Sequence, residues 1–138
     1  MLFRSRRLAK HRGAALIIDY GHLQTAPGDT LQAVRGHGFA NPFDTPGTVD
    51  LSAHVDFATL GAAAIVAGAN VHGPVPQRDF LGMLGIASRA AALAKQAPER
   101  ADEVSAAFAR LTDPGQMGTL FRVMGLTGAG WPTPAGFA

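Results

Sequence analysis

The chain has 138 residues, 47% of them hydrophobic and 16% charged, and no cysteine. This composition suits one globular domain with a modest core and excludes a disordered chain, disulfides, thiolate zinc sites and a cysteine nucleophile. No apolar stretch approaches the roughly 20 residues that span a bilayer, so no membrane insertion is expected. The formal charge is +2, yet five of the twelve Lys and Arg residues (Arg4, Arg6, Arg7, Lys10, Arg12) precede the first acid, Asp19. The other 7 basic residues face 10 acidic ones, a balance of −3. A nucleic-acid reading therefore applies at most to the first dozen residues, where Phe3 is the lone stacking ring, and no nucleic-acid partner is expected.

Leu2-Phe3-Arg4-Ser5 matches the translated end of a common sequencing adapter, so residues 1–5 are read as non-native or disordered. Arg6 to Arg12 reads as the charged end of a helix, because cations favour the last turn and Gly13 fits the stop position. An Arg-rich, acid-free start also resembles a mitochondrial transit peptide. The apolar run Gly13-Ala14-Ala15-Leu16-Ile17-Ile18 then ends in Asp19-Tyr20-Gly21-His22. It reads as a strand buried on both faces, with a candidate site just beyond its carboxyl end.

His22 to Pro46 carries many turn signals (Pro27-Gly28-Asp29, Gly36, Gly38, Asn41-Pro42) and reads as a long irregular segment of functional interest. Asp50 and Ser52 are N-cap candidates for a helix whose Phe57, Leu60, Ala64 and Ile65 face the core, with Gly68 as its stop. Asn70 to Gly73 is a short strand. Gln77 to Leu84 is helical, Gly85-Ile86 a break, and Ala87 to Lys95 an alanine-rich helix. Pro98 opens a third helix with Ala101, Val104, Phe108 and Leu111 as its stripe, ended by Asp113-Pro114-Gly115. Leu120 to Leu126 is a last strand, and 127–138 a surface tail rich in Gly and Pro.

No glycine-rich nucleotide cradle, Gly-x-Ser-x-Gly elbow or His-Glu-x-x-His motif is present. His22, His37 and His54 with Asp19 or Asp56 have the donor types of a metal site, but their spacings match no ligand pattern, so no metal is assigned. Asp19 and Tyr20 are the stronger candidates: a carboxylate that accepts from a cationic substrate, beside an aromatic wall with a hydroxyl. The alternative for Asp19 is a turn cap. Asp56 is explained by the helix dipole alone. His54 is not, since helix starts disfavour a cation, and a neutral His54 facing a cleft is the sharper reading.

Several blocks occur in order: Gly13-Ala-Ala-Leu-Ile-Ile-Asp-Tyr-Gly-His22, Gly28-Asp-Thr-Leu-Gln-Ala33, Gly36-His37, Asp50-Leu-Ser-Ala-His-Val-Asp-Phe57, Gly73-Pro-Val-Pro-Gln77, Phe80-Leu81, Leu84-Gly-Ile86, Met117-Gly118 and Phe121-Arg-Val123. From about Arg6 onward the chain resembles the C-terminal part of the MidA family of class I methyltransferases dependent on S-adenosyl-L-methionine. Mitochondrial members of that family are arginine methyltransferases acting in complex I assembly. The resemblance implies an α/β fold, the C-terminal part of a Rossmann-like methyltransferase domain over residues 6–126. Its sheet would be three-stranded and mixed, in the order 5-7-6, with three to four helices and a bare outer edge on Ala14–Asp19.

The family's glycine-rich cofactor loop has no counterpart here. The resemblance therefore implies a fragment that is inactive alone and does not bind S-adenosyl-L-methionine by itself, from a parent acting on a protein arginine. Asp19 and His54 are the implied catalytic residues; Tyr20, His22 and His37 are implied substrate contacts, and no cofactor ligand is assigned. The alternative is a non-catalytic interaction module that pairs through the bare edge with an N-terminal half or a second copy. The implied setting is the bacterial cytoplasm, with the mitochondrial matrix as the alternative.

Overall fold

Two hydrogen-bonded sheets organise the chain. The computed structural model describes residues 2–44 and 47–137, the side chains of 2–4 excepted. The elements run α1 (Leu2–His11), β1 (Ala14–His22), β2 (Gln32–Arg35), β3 (Gly38–Ala40), β4 (Asp50–Ser52), β5 (Val55–Asp56), α2 (Phe57–Val66), β6 (Asn70–Pro76), α3 (Gln77–Met83), α4 (Ile86–Gln96), a 3₁₀ turn (Pro98–Arg100), α5 (Ala101–Thr112), α6 (Met117–Leu120) and β7 (Phe121–Thr127).

The main sheet has the order β5-β1-β7-β6. β7 runs antiparallel to β1, from Ala14↔Thr127 to Tyr20↔Phe121. It is also antiparallel to β6, with an irregularity between His72 and Val75. Its residues from Val123 to Thr127 are buried. The three long strands thus lie in the expected 5-7-6 order, but the expected three-stranded sheet is corrected to four. β5 adds to the end of β1 in parallel at Gly21↔Val55 and His22↔Asp56. Gly21 permits this: a Cβ there would overlap the Val55 carbonyl oxygen and fall 2.9 Å from the Phe57 ring. Beside β5, the outer edge of β1 is unpaired from Ala14 to Tyr20 among the described residues.

The segment read as irregular holds a second sheet, β3-β2-β4. β2 and β3 form a hairpin whose turn places Gly36 at φ 56° and His37 at φ 65°. Two positive φ values are what a two-residue hairpin turn matched to strand twist requires. The period-2 signal is obscured because each strand is only three or four residues long. Asp50 and Ser52 lie in β4 and do not cap a helix; the N-cap of α2 is Asp56, whose side chain accepts from the Thr59 N–H.

α2 packs on one face of the main sheet. Phe57, Leu60, Ala64, Ala69, Met124 and Leu126 form the core, with Leu8, Ala15, Ile17, Val55 and Val71 around them. Fully burying a Phe or Leu side chain is worth about 1.5–3 kcal/mol, so this face carries much of the stability. Ile65, expected in the core, is 63% exposed because it is one residue, about 100° of rotation, off the Phe57–Leu60–Ala64 stripe. The expectation that β1 is buried on both faces is also corrected. Leu16 and Ile18 are 50% and 46% exposed, since no described element covers that side of β1.

Among the described residues there are six α-helical segments and not the expected three to four; Gly85 (φ 80°) separates α3 from α4 where a break was expected, and α6 is only four residues long. α5 turns its Val104, Phe108 and Leu111 stripe toward α4. The buried Gln77 Nε2 donates to the Leu111 carbonyl at 2.9 Å and ties this arm to the end of β6. The last residues fold back, Phe137 packing on Phe80 and His72 with ring centroids 5.2 and 6.1 Å away.

Replacing Gly21 by Ala should push β5 and Phe57 off the end of β1 and cost about 1–3 kcal/mol, as overpacking does. Urea unfolding of Gly21→Ala beside Gly82→Ala, whose added methyl meets nothing within 4 Å, checks this; the second variant should be neutral or stabilising.

Candidate functional site

The carboxyl end of β1 meets the amino end of β7, because the two strands are antiparallel. Strand alternation sends Tyr20 and Asp19 to opposite faces of the sheet. Tyr20 shares its face with Phe121, whose ring it meets edge-on at 5.6 Å. The His54 ring also meets Tyr20 edge-on, at 5.4 Å. His54 is held there through its backbone N–H, which donates to Thr30 Oγ1 at 3.3 Å. The second sheet's leading loop is thereby fastened to the ring cluster.

Asp19 lies on the α2 face, directly across from Arg122. One carboxylate oxygen accepts from the Tyr20 backbone N–H at 2.9 Å. Arg122 Nε is buried and has no hydrogen-bond partner among the described residues. Sequence reasoning did not single out Arg122 as a site residue. Its signal was the Phe121-Arg122-Val123 block, which gains meaning only from the register with β1.

A third group braces the site. Asp56 accepts from Thr25 Oγ1 at 2.6 Å, the Thr59 N–H at 2.9 Å and Thr59 Oγ1 at 2.8 Å. His22 Nε2 lies 3.9 Å from its carboxylate. The Thr25 hydroxyl foremost, then the Thr59 N–H, lower the Asp56 pKa from 3.8 to about 2, against a smaller rise from desolvation. Asp56 is therefore a fixed negative end for α2, tied to the loop after β1; Thr25 and Thr59 gave no signal in the sequence. Four of the five singled-out residues thus gather at this strand end, Tyr20 with His54, Asp19 beside Arg122, and His22 with Asp56. His37 stands apart, exposed at the β2–β3 turn. Among the described residues no group of three His, Asp or Glu side chains is placed to hold a metal ion. No helix of the described residues is long and apolar enough to cross a membrane.

Residues 4–75 match the family model described as "Putative S-adenosyl-L-methionine-dependent methyltransferase". The chain belongs to this family. It is similar to the mitochondrial "Protein arginine methyltransferase NDUFAF7 homolog" of Drosophila melanogaster, 40% identical over 123 residues, which cover 87% of this chain and 28% of that protein. The Mus musculus protein arginine methyltransferase NDUFAF7 is 40% identical over 124 residues, 88% of this chain and 28% of its own. A COG1565 superfamily crystal structure from Burkholderia thailandensis, bound to S-adenosyl-homocysteine, superposes with a TM-score of 0.83 at 30% identity, over 98% of this chain and 37% of that one. A native structure from the same organism gives 0.80 at 27% identity. The chain thus spans little more than a quarter of the length of these curated relatives.

Because the folded pKa of Asp56 is lowered, its stabilising contribution is complete above 3.8 and is lost as pH falls from there through about 2. A carboxyl-carbon NMR titration should give Asp56 a midpoint near 2. In Thr25→Val the midpoint should move up toward 3.8 and acid unfolding should begin at higher pH.

Proposed function

We propose that this chain carries the acceptor side of an S-adenosyl-L-methionine-dependent protein arginine methyltransferase, and that it is inactive alone because it contains no glycine-rich cofactor loop. The observation that carries this reading is the carboxylate of Asp19 at the end of β1, on the opposite face of the strand from the ring cluster of Tyr20, His54 and Phe121 that ends at the same point. A guanidinium is a planar cation, and a carboxylate grips it through paired charge-assisted hydrogen bonds. Asp19 holds and orients it, and Tyr20, on the strand's other face, is a contact for the rest of the substrate. His54 takes the general-base role toward the acceptor nitrogen, and His22 is a substrate contact. His37, at the hairpin tip, contacts the incoming chain farther out.

No step through the cofactor is assigned to these residues. The bacterial structural neighbours support a cytoplasmic setting, and the mitochondrial relatives support the matrix as the alternative.

A second reading is a non-catalytic interaction module. It is favoured by the unpaired β1 edge from Ala14 to Tyr20 with Leu16 and Ile18 half exposed, a surface able to take a strand from an N-terminal half or a second copy.

Calorimetry with S-adenosyl-homocysteine should show no binding to the chain alone, whereas saturation near one per chain would overturn the acceptor-side reading. In a longer polypeptide that adds the family's glycine-rich portion, Asp19→Asn should lower kcat/KM on an arginine peptide about 100-fold while leaving cofactor affinity unchanged. Sedimentation equilibrium tests the second reading in its second-copy form, which requires a dimer that Leu16→Lys abolishes.

A further inference from the structure

The stretch from Asp19 to Asp56 holds five aspartates, half of the chain's 10 acids, and one of its 12 Lys and Arg residues, Arg35. This concentration coincides with the small sheet. Val34 is paired with Phe39 on one side and with Asp50 on the other, so these three side chains form a row across one face. Phe39 at the end of that row is 86% exposed. A second exposed ring follows four residues on: the Asn41 side chain accepts from the Phe43 N–H at 3.0 Å, in a turn where Phe43 is 76% exposed. At the end of β3 lies a cavity of about 200 Å³ lined by Phe39, Ala40, Asn41, Asp44 and Val49, with Arg35 of β2 the one cation on its wall. The Asp44 and Asp50 carboxylates are exposed and form no ion pair among the described residues.

An isolated apolar patch would fit any apolar partner. Aromatic faces interleaved with unpaired carboxylates on an arginine-poor stretch are selective: they favour a cation that carries apolar surface with it. The small sheet is also continuous with the candidate site, since Thr30, just before β2, holds His54 against Tyr20. β3 and β4 are edge strands, open to an extended chain.

We infer that the β2–β3–β4 sheet docks an extended, arginine-bearing segment of a protein partner, with Phe39 and Phe43 as anchors and Asp44 and Asp50 as its electrostatic complement. The inference rests on the arginine-acceptor reading for the identity of the partner, and it places the flanking residues of that segment outside the Tyr20–His54 cluster.

The test is an NMR titration of this chain, without cofactor, with a short acetylated peptide of alternating Arg and Val, and with the same peptide carrying citrulline for Arg. The arginine peptide should shift the amides of Phe39, Phe43 and Asp50 saturably, and its affinity should fall with salt. Phe39→Ser should weaken it about tenfold, as loss of an anchor does. Asp44→Asn with Asp50→Asn should weaken it several-fold and remove most of the salt dependence; all three positions are exposed, so folding is retained. Equal binding of the citrulline peptide, shifts confined to the β1 edge or the α4–α5 arm, or self-association that Phe39→Ser abolishes would each overturn the proposal. Peptide that docks as described but is not methylated by the longer polypeptide would leave docking standing and remove the arginine-acceptor reading.

Discussion

Everything at the candidate site depends on β7 lying antiparallel between β1 and β6. The last strand of the chain is its most buried one, and its hydrogen bonds hold β1 and β6 in one sheet. Two glycines let other parts close over it. A Cβ on Gly125 would fall 2.9 Å from the Phe137 ring, and one on Gly128 would fall 2.6 Å from the Leu8 carbonyl oxygen. The register of β7 decides which residues stand beside the Asp-Tyr-Gly-His end of β1. A slip of one residue would exchange the two faces of the pair, taking Phe121 from Tyr20 and Arg122 from Asp19.

That register divides the site by face. The ring cluster lies on one side and the Asp19–Arg122 pair on the other, with the strand end between them. The two aspartates at this end consequently have different chemistry. Asp56 receives three hydrogen bonds and is held below the ordinary carboxylate range, the state of a permanent cap. Asp19 accepts one local backbone bond, which orients it without occupying both oxygens. Asp19 thus keeps hydrogen-bonding capacity that Asp56 has already used.

The long elements were legible in the sequence because each carries a signal spread over several residues. The run Ala14 to Asp19, the stripe Phe57–Leu60–Ala64, the Gly85 break and the last strand all stand where periodicity and turn residues put them. The small sheet was not, since strands of three or four residues give no usable alternation and its turns read as loop. Its hairpin was nonetheless marked by Gly36-His37, whose left-handed backbone the structure explains. The strand-end position of Asp19 and Tyr20 was readable. The ring contact of His54 was not, because it depends on a backbone bond to Thr30 more than 20 residues away. Arg122 was likewise hidden, since its proximity to Asp19 is a property of strand pairing across the whole chain.

The exposed half of β1 connects the open edge to the ring cluster. Leu16, Ile18 and Tyr20 alternate onto one face, the face that carries Phe121 and His54 and not the one packed by α2. Leaving Leu16 and Ile18 about half exposed forgoes on the order of 1 kcal/mol each relative to full burial. A layer that covers them would recover that energy, and by geometry it must also abut Tyr20. Covering this face of β1 and walling the ring cluster are therefore one packing event. Both readings of the chain, an enzyme's acceptor side and a strand-pairing module, place the added polypeptide on the same side of β1. They differ in whether that polypeptide also brings a cofactor to the strand end.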